Sequence, residues 1–346
     1  MSSATPRSQD PPFYQTFAAR NVTAPDFNAW KPHDVKSNIS QYPVTQLAWN
    51  VDGQRLATCG NERTVRLWHP EETTSPQKCT LTGTAHKSNA TSLAWSTKHP
   101  ELFCSASDGD KTLMFWDARK KDPTHKMEVK SSIIRIAYAP DGDSVLILDK
   151  YSTFSRLQFQ TMTIEKDSTT PTWSFVGDPY SKLHGATDFK FNHVGDLIFV
   201  STNSGSIACI EYPTMDLVDT FNAHLGSCNA LDLDPRGGYL ATGGSDSMIN
   251  IFNNVEMLIH KAISETDLPI RFLAYSFDGE YLAASLAGPD LLMLSSTSGQ
   301  VLQRGIKQLG QPAALAWHPS KLILASCGDH PSSHKSAWIS FLGLNM

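Results

Sequence analysis

The chain has 346 residues and a formal net charge of −5, with 29 Lys and Arg against 34 Asp and Glu. This balance argues against a protein that binds nucleic acid through its overall charge. The start MSSATPRSQDPP lacks the apolar core of a signal peptide, and no 18 consecutive residues are apolar. The six cysteines include no CxxC pair, which suits free thiols in a reducing compartment. We therefore expect a soluble intracellular protein.

Residues 1–30 form a polar, proline-containing segment. Its composition favours a largely disordered arm. The segment also contains large aromatic residues, and an alternative is that these dock on the folded domain or on a partner. They are Phe13, Tyr14, Phe17, Phe27 and Trp30. We place the folded domain at residues 31–346.

A β run followed by a tight turn recurs seven times after the arm. The copies are LAWNVDG (Leu47–Gly53), LAWSTKHP (Leu93–Pro100), IAYAPDG (Ile136–Gly142), FKFNHVG (Phe189–Gly195), LDLDPRG (Leu231–Gly237), LAYSFDG (Leu273–Gly279) and LAWHPSK (Leu315–Lys321). Their third residues are 46, 43, 53, 42, 42 and 42 residues apart. A period of about 40–45 residues with four strands per unit is typical of propeller blades. The sequence therefore predicts an all-β, seven-bladed β-propeller.

Two blades depart from the regular pattern. Blade three contains an insert at Thr161–Thr172, which explains its longer interval. Blade seven has only three strands before the chain ends, AALAW, LILASC and AWISFLG. An upstream segment near His33–Asn38 is available as the fourth strand. Because such pairing removes open sheet edges, we expect the N-terminal segment to close blade seven.

Blade two carries the residues of a known repeat. It contains Ala85-His86, Asp110 and the dipeptide Trp116-Asp117, and in this it resembles the WD-repeat family. The resemblance implies a buried hydrogen-bond network of His86, Asp110, Trp116 and a hydroxyl from Ser105 or Ser107. Such a network stabilises a blade when every member is satisfied. The corresponding network residues in blades five and one are His224, Asp246 and Trp68.

Blades two and four to six, together with the ending WHPSKLILASCGD, resemble the THO branch of the WD-repeat family. The shared features include Tyr212-Pro213, Asn222-Ala223-His224 and Pro269-Ile270-Arg271. The resemblance implies a nuclear, non-catalytic scaffold of the THO/TREX assembly, which couples transcription to mRNA processing, packaging and export. Its implied direct partner is the large helical scaffold subunit. A DEAD-box RNA helicase, export adaptors and RNA would be reached indirectly, without a membrane or a small-molecule substrate.

The alternative function is that of a WD-repeat peptide-binding module in another nuclear assembly. A histone-tail reader or a ubiquitin-ligase substrate receptor would hold a peptide at the central opening through an acidic or aromatic cage. An enzyme is a third class, and the sequence argues against it. We find no nucleotide-binding, zinc-protease or nucleophile-elbow motif in a suitable setting.

Three further features argue against catalytic, metal and cofactor sites. The run Gly243-Gly244-Ser245-Asp246 ends a β run with no helix after it, so it is read as a turn. His330 and His334 lack further ligands in the sequence. The first strand of each blade, which faces the channel, carries mainly Ala, Leu, Ile and aromatic residues. We expect none of the three kinds of site.

Two sets of residues are candidates for partner contacts. A basic cluster joins the third and fourth strands of blade two, at the bottom face, and serves either as a solvated turn or as a contact for RNA or an acidic partner. It consists of Arg119, Lys120, Lys121, Lys126 and Lys130. The opposite, top face carries the turns between second and third strands. Its candidates, which could instead form salt bridges between blades, are Arg63, Lys111, Arg135, Tyr151 and Arg271.

Overall fold

The structure, a computed structural model, describes residues 25–34, 42–69, 80–81, 86–160, 172–329 and 337–343. These residues form seven four-stranded antiparallel sheets. The predicted all-β, seven-bladed propeller is therefore confirmed. No helix in the described ranges has the length and apolar character needed to cross a membrane.

The first four blades each add their strands outward in chain order from the central channel. Blade one contains β2 (Val44–Trp49), β3 (Leu56–Gly60), β4 (Val65–Trp68) and β5 (Thr80–Leu81). Blade two contains β6 (Ala90–Trp95), β7 (Leu102–Ser107), β8 (Thr112–Asp117) and β9 (His125–Glu128). Blade three contains β10 (Ile133–Tyr138), β11 (Ser144–Asp149), β12 (Phe154–Gln160) and β13 (Thr172–Tyr180). Blade four contains β14 (Ala186–Phe191), β15 (Leu197–Thr202), β16 (Ser206–Glu211) and β17 (Leu217–Asn222).

Blades five and six follow the same order. Blade five contains β18 (Cys228–Leu233), β19 (Tyr239–Gly244), β20 (Ile249–Asn253) and β21 (Ile259–Ile263). Blade six contains β22 (Ile270–Tyr275), β23 (Tyr281–Leu286), β24 (Asp290–Ser295) and β25 (Val301–Lys307). Blade seven contains β26 (Pro312–Trp317), β27 (Leu324–Asp329) and β28 (Ala337–Leu342), with β1 (His33–Asp34) as its outer strand.

The outer strand of blade seven comes from the N-terminal segment, as predicted. In β1, His33 lies opposite Phe341 and Asp34 lies opposite Ser340 in antiparallel register. Each blade thus has four strands although the chain enters and leaves the ring in the same sheet. This pairing covers the edge that β28 would otherwise leave open.

A short 3-10 helix, η1 (Phe27–Ala29), precedes β1 and docks on the ring. The Phe27 side chain is 4% exposed, and its ring centroid lies 4.7 Å from that of Trp30 and 4.9 Å from that of Tyr281. Trp30 in turn lies 6.1 Å from Trp317. The segment therefore adds aromatic side chains to the core between blades six and seven. Residues 1–24 lie outside the described residues.

The hydrophobic core lies in the seams between adjacent blades. The middle strands are the most buried, and every residue of β3 and of β8 is buried. The alternation of a strand sends successive side chains to opposite faces, so each middle strand fills two seams. The cysteines that the structure describes are buried and unpaired. Burial raises the pKa of the Cys59 thiol to about 12, which leaves it protonated and unreactive.

Candidate functional site

A central channel of about 1240 Å³ runs through the ring and is lined by the first strand of every blade. At its top end lie the turns between second and third strands and the connections between blades. Loops presented by a rigid scaffold are common binding positions. The top face and the channel are therefore the candidate site.

A β-bulge shapes the upper end of the channel. In all seven first strands the pairing register shifts after the first residue, leaving the second residue unpaired. A bulge redirects the side chain that it releases. Thus Thr45 Oγ1 donates to the Ala90 carbonyl of the next blade at 3.2 Å, and Asn229 Nδ2 donates to the Ile270 carbonyl at 3.0 Å.

Arg271 occupies the bulge position of blade six and lines the channel. Its side chain is exposed, and it forms no ion pair with any residue that the structure describes. An exposed guanidinium without an ion pair can bind a carboxylate or phosphate of a partner without first breaking a salt bridge within the protein. Arg271 is therefore available to an external ligand.

Arg135 has the structural role instead. Its Nε lies 3.1 Å from Asp188 Oδ1, which joins blades three and four, and its Nη1 lies 3.5 Å from Gln46 Oε1 of blade one. A second pair, Lys190 Nζ to Asp232 Oδ1 at 3.0 Å, joins blades four and five. The Asp232 carboxylate raises the pKa of Lys190. Both pairs join the first strands of neighbouring blades.

Most residues that line the channel are apolar, as expected, and these charged residues are additions that the sequence did not reveal. The large aromatic residue at the end of most first strands, such as Trp49 or Tyr138, is buried at 8% and 6% exposure. The third and fifth positions face the channel, and in blade four these hold Asp188 and Lys190. The acids are matched by bases, so the charged part of the channel is no acidic cage.

Arg63, Lys111 and Tyr151 lie in top-face turns and are all exposed. Arg63 and Lys111 have φ angles of 65° and 52°, in the left-handed region that costs a residue with a side chain roughly 1 kcal/mol. Tyr151 is 66% exposed. Glycine would be less strained at both positions, so the presence of basic side chains there favours a binding role for them.

The structure brings the predicted network of blade two together. His86 Nε2 lies 2.8 Å from Ser105 Oγ, and Trp116 Nε1 donates to the same oxygen at 2.9 Å. Ser105 therefore supplies the hydroxyl, and not Ser107. Sequence reasoning missed Thr112, whose Oγ1 lies 3.2 Å from His86 Nδ1 and donates to Asp110 Oδ1 at 2.6 Å. The sequence feature that could have identified Thr112 is its position two residues after Asp110.

Blades five and one hold parts of the same network. His224 Nδ1 donates to Asp246 Oδ1 at 3.0 Å, and its Nε2 lies 2.9 Å from Thr242 Oγ1. In blade one, Trp68 Nε1 donates to Thr58 Oγ1 at 2.9 Å. Both blades use a threonine of the second strand where blade two uses a serine. The networks lie inside the blades and therefore stabilise the ring without offering a binding site.

Acid is expected to weaken the fold through the two network histidines. Burial lowers the pKa of His86 and of His224 below 6.5, although Asp110 and Asp246 oppose the shift. The unfolded chain therefore binds more protons than the folded one just below pH 6.5, and the free energy of unfolding falls as the pH decreases from there. Urea unfolding at about pH 7.5 and about pH 5.5 measures this fall.

The matched variant is His86→Gln with His224→Gln. It should be less stable at neutral pH but lose less stability between the two pH values, because two of the titrating groups are gone. An equal loss in the variant and the unaltered protein would contradict this account.

The basic cluster of blade two extends from the turn after β8 along β9 to the top face. Arg119 is held by Asp117, with Nε to Oδ1 at 2.8 Å and Nη2 to Oδ2 at 2.6 Å. Lys120 and Lys121 are exposed beyond β8, whereas Lys126 lies on β9 and Lys130 follows it at the top face. Because β9 runs from bottom to top, it separates these lysines. The predicted neighbouring insert, residues 161–171, lies outside the described residues.

Among the described residues, the remaining sequence candidates form no ligand site. No three His, Cys, Asp or Glu side chains in the described ranges are placed to bind a metal ion. His330 and His334 lie outside those ranges. A Cβ on Gly243 would lie 2.4 Å from Ile270 Cγ2, so this glycine allows blades five and six to pack closely.

Further contacts between blades were missed from the sequence. His318 Nε2 donates to the Gly53 carbonyl at 3.0 Å, and its Nδ1 accepts the backbone N–H of Ser320 at 3.1 Å. Arg236 Nη1 lies 2.6 Å from Glu280 Oε1. These contacts fasten blade seven to blade one and blade five to blade six near the bottom face.

Comparison with known proteins agrees with this architecture. The family described as WD domain, G-beta repeat, matches residues 33–69, 77–117 and 215–253, which are blades one, two and five. The chain is 28% identical over 300 residues to THO complex subunit 3 of Arabidopsis thaliana, covering 83% of this chain and 86% of that protein. It is 23% identical over 321 residues to WD repeat-containing protein AAC3 of Dictyostelium discoideum, covering 86% of this chain and 64% of that protein.

A solved structure shows the same fold. The β-propeller domain of Cps50 (Swd1) from Myceliophteria thermophila superposes with a TM-score of 0.72 at 18% identity, covering 90% of this chain and 98% of that chain. The repeats, the sheet topology and these similarities lead to one conclusion. The chain is a seven-bladed β-propeller, and the ranges that contain the first three strands of blades one, two and five match the WD40 repeat.

Proposed function

We propose that the protein is the non-catalytic WD-repeat scaffold of a nuclear THO/TREX assembly, which couples transcription to mRNA processing, packaging and export. The observation that carries the proposal is the similarity to THO complex subunit 3 of Arabidopsis thaliana over 83% of this chain and 86% of that protein. A match restricted to single repeats would indicate only a propeller. This one spans most of both chains.

The geometry suits a scaffold because the propeller is rigid and the exposed loop residues that could bind a partner do not belong to its hydrophobic core. The large helical scaffold subunit is the proposed direct partner, and it would dock on the top face. Arg271 and Arg63 are exposed there, and arginine often carries much of the binding energy at an interface. The RNA helicase and the export adaptors would be reached through the assembly.

The competing function is that of a peptide reader in another nuclear assembly. Its recognition would need an acidic or aromatic cage at the channel mouth. The channel instead pairs its acids with bases, as in Arg135 with Asp188 and Lys190 with Asp232. The charge arrangement gives this alternative less support.

Affinity purification of the tagged protein from nuclear extract, with and without ribonuclease, tests the proposal. We expect the THO subunits to be recovered in both cases. Arg271→Glu should reduce their recovery about tenfold or more, because it puts a like charge against an acidic partner group. Lys261→Glu is the matched control, since Lys261 is exposed on the outer strand of blade five. Recovery of histones or of a ubiquitin-ligase adaptor in place of THO subunits would contradict the proposal.

A further inference from the structure

Four lysines form a continuous arc on the top face over blades two and three. We call Lys87, Lys111, Lys130 and Lys150 the lysine arc; all four are exposed. Hydrogen bonds join the loops that carry them. The backbone N–H of Lys87 donates to Asp110 at 2.7 Å, that of Val129 donates to the Lys111 carbonyl at 2.9 Å, and that of Lys150 donates to the Ser132 carbonyl at 3.0 Å. The lysines therefore stand on loops that touch one another.

No ion pair holds the lysines of the arc. None of the four ammonium groups has an ion-pair partner in the described part of the chain. Two carboxylates of the same turns instead accept hydrogen bonds within their own turns or from the neighbouring loop. Asp110 accepts hydrogen bonds from the Lys87 N–H and from Thr112, and Asp149 accepts them from the backbone of Tyr151 and Thr153.

An exposed aromatic ring stands within the arc. Tyr151 is 66% exposed, and Lys150 Nζ lies 4.9 Å from the centre of its ring. Proteins that bind single-stranded nucleic acid combine exposed aromatic side chains, on which bases stack, with basic side chains that contact the phosphates. The arc thus groups four exposed lysines on one face of a chain whose net charge is −5.

We propose that the lysine arc binds a single-stranded nucleic acid, with the four ammonium groups on successive phosphates and a base stacked on Tyr151. Lysine acts as a point charge, so it suits a flexible backbone without a fixed paired geometry. An acidic protein segment would pair with the lysines but would have no base to stack on the Tyr151 side chain. The proposal goes beyond the scaffold function, in which RNA is reached indirectly.

Fluorescence anisotropy on the isolated full-length protein tests the proposal independently of any THO partner. The probes are labelled oligouridylate and oligothymidylate of about 20 nucleotides, and the tighter binder identifies the natural strand. Between about 50 and 200 mM salt, the logarithm of the affinity should fall against the logarithm of salt concentration with a slope of about −3, as expected for four phosphate contacts on a single strand.

Two variants with the same charge change separate the arc from overall charge. The first replaces Lys87, Lys111, Lys130 and Lys150 by Gln and should lose about tenfold or more in affinity, with a salt slope near zero. The control replaces Lys120, Lys121, Lys126 and Lys261 by Gln and should bind as the unaltered protein does. Tyr151→Ala should weaken binding about fivefold or more and keep the salt slope, because it removes only the stacking contact.

Three results would overturn the proposal: no binding at low salt, equal loss in both lysine variants, or unchanged binding by Tyr151→Ala together with full competition by polyglutamate. The last result would assign the arc to an acidic protein segment. Thermal melting of each variant, followed by circular dichroism, checks that the ring is intact. The replaced side chains are all exposed, so the melting temperatures should agree.

Discussion

Replacing Trp116 by Ala should lower the free energy of unfolding by about 3–5 kcal/mol. The indole is 1% exposed and is stacked on Phe103, with ring centroids 5.9 Å apart and planes 8° apart. It also donates to Ser105 Oγ at 2.9 Å. The substitution leaves a cavity in the seam between blades one and two and removes one partner of the serine. Equilibrium unfolding in urea measures the loss.

Two further variants divide this effect into packing and hydrogen bonding. Trp116→Phe keeps much of the packing but loses the donor, and Ser105→Ala removes the acceptor at a cost of about 1 kcal/mol. Trp173→Ala is the control for removing a large ring from a half-buried position on the outer strand of blade three. If Trp116→Ala costs less than about 1 kcal/mol, the indole does not belong to the blade core.

Removing residues 1–34 should lower the melting temperature by at least about 10 °C, because two buried aromatic contacts and a strand pairing are lost together. Residues 25–34 contain both β1 and the docked helix η1. Their loss exposes the edge of β28 and uncovers the Phe27 site between blades six and seven. Removing residues 1–24 should leave the melting temperature unchanged. Scanning calorimetry compares both truncated proteins with the full chain.

Phe27→Ala in the full-length chain separates the two contributions. It empties the aromatic site but leaves His33 and Asp34 paired with β28, so its melting temperature should fall between those of the two truncated proteins. If both truncated proteins melt at the same temperature, the ring is not closed by the N-terminal segment.

The ring itself could be predicted because its information is local and repeated. In each blade, about seven residues are enough to identify the first strand and the turn after it. The repeat length of about 42 residues then indicates four strands per blade. The network of blade two was predictable for a similar reason, since His86, Asp110 and Trp116 belong to one repeat. Even there, Thr112 was missed because several hydroxyls are available in each repeat and only the register selects among them.

Contacts between blades could not be predicted in this way. Arg135 meets Asp188, and Lys190 meets Asp232, in different repeats. Such a pair depends on which positions of the first strand face the channel, and a bulge changes that assignment. Nothing near Phe27 in the sequence indicates that its ring reaches blade six. The lysine arc was found only in part: Lys111 and Lys130 were sequence candidates, but in separate groups, because intervening strands separate the members of the arc.

The pairing of β1 with β28 has a consequence for biosynthesis. His33 and Asp34 leave the ribosome early, whereas their partners Ser340 and Phe341 are made about 300 residues later. Until then blade seven is incomplete: β1 has no partner strand, and the seam in which Phe341 of blade seven packs against Trp49 and Leu56 of blade one is open. A chain released early keeps this apolar surface exposed, which is the kind of surface that chaperones bind. The ring can therefore close only after the last strand has been synthesised.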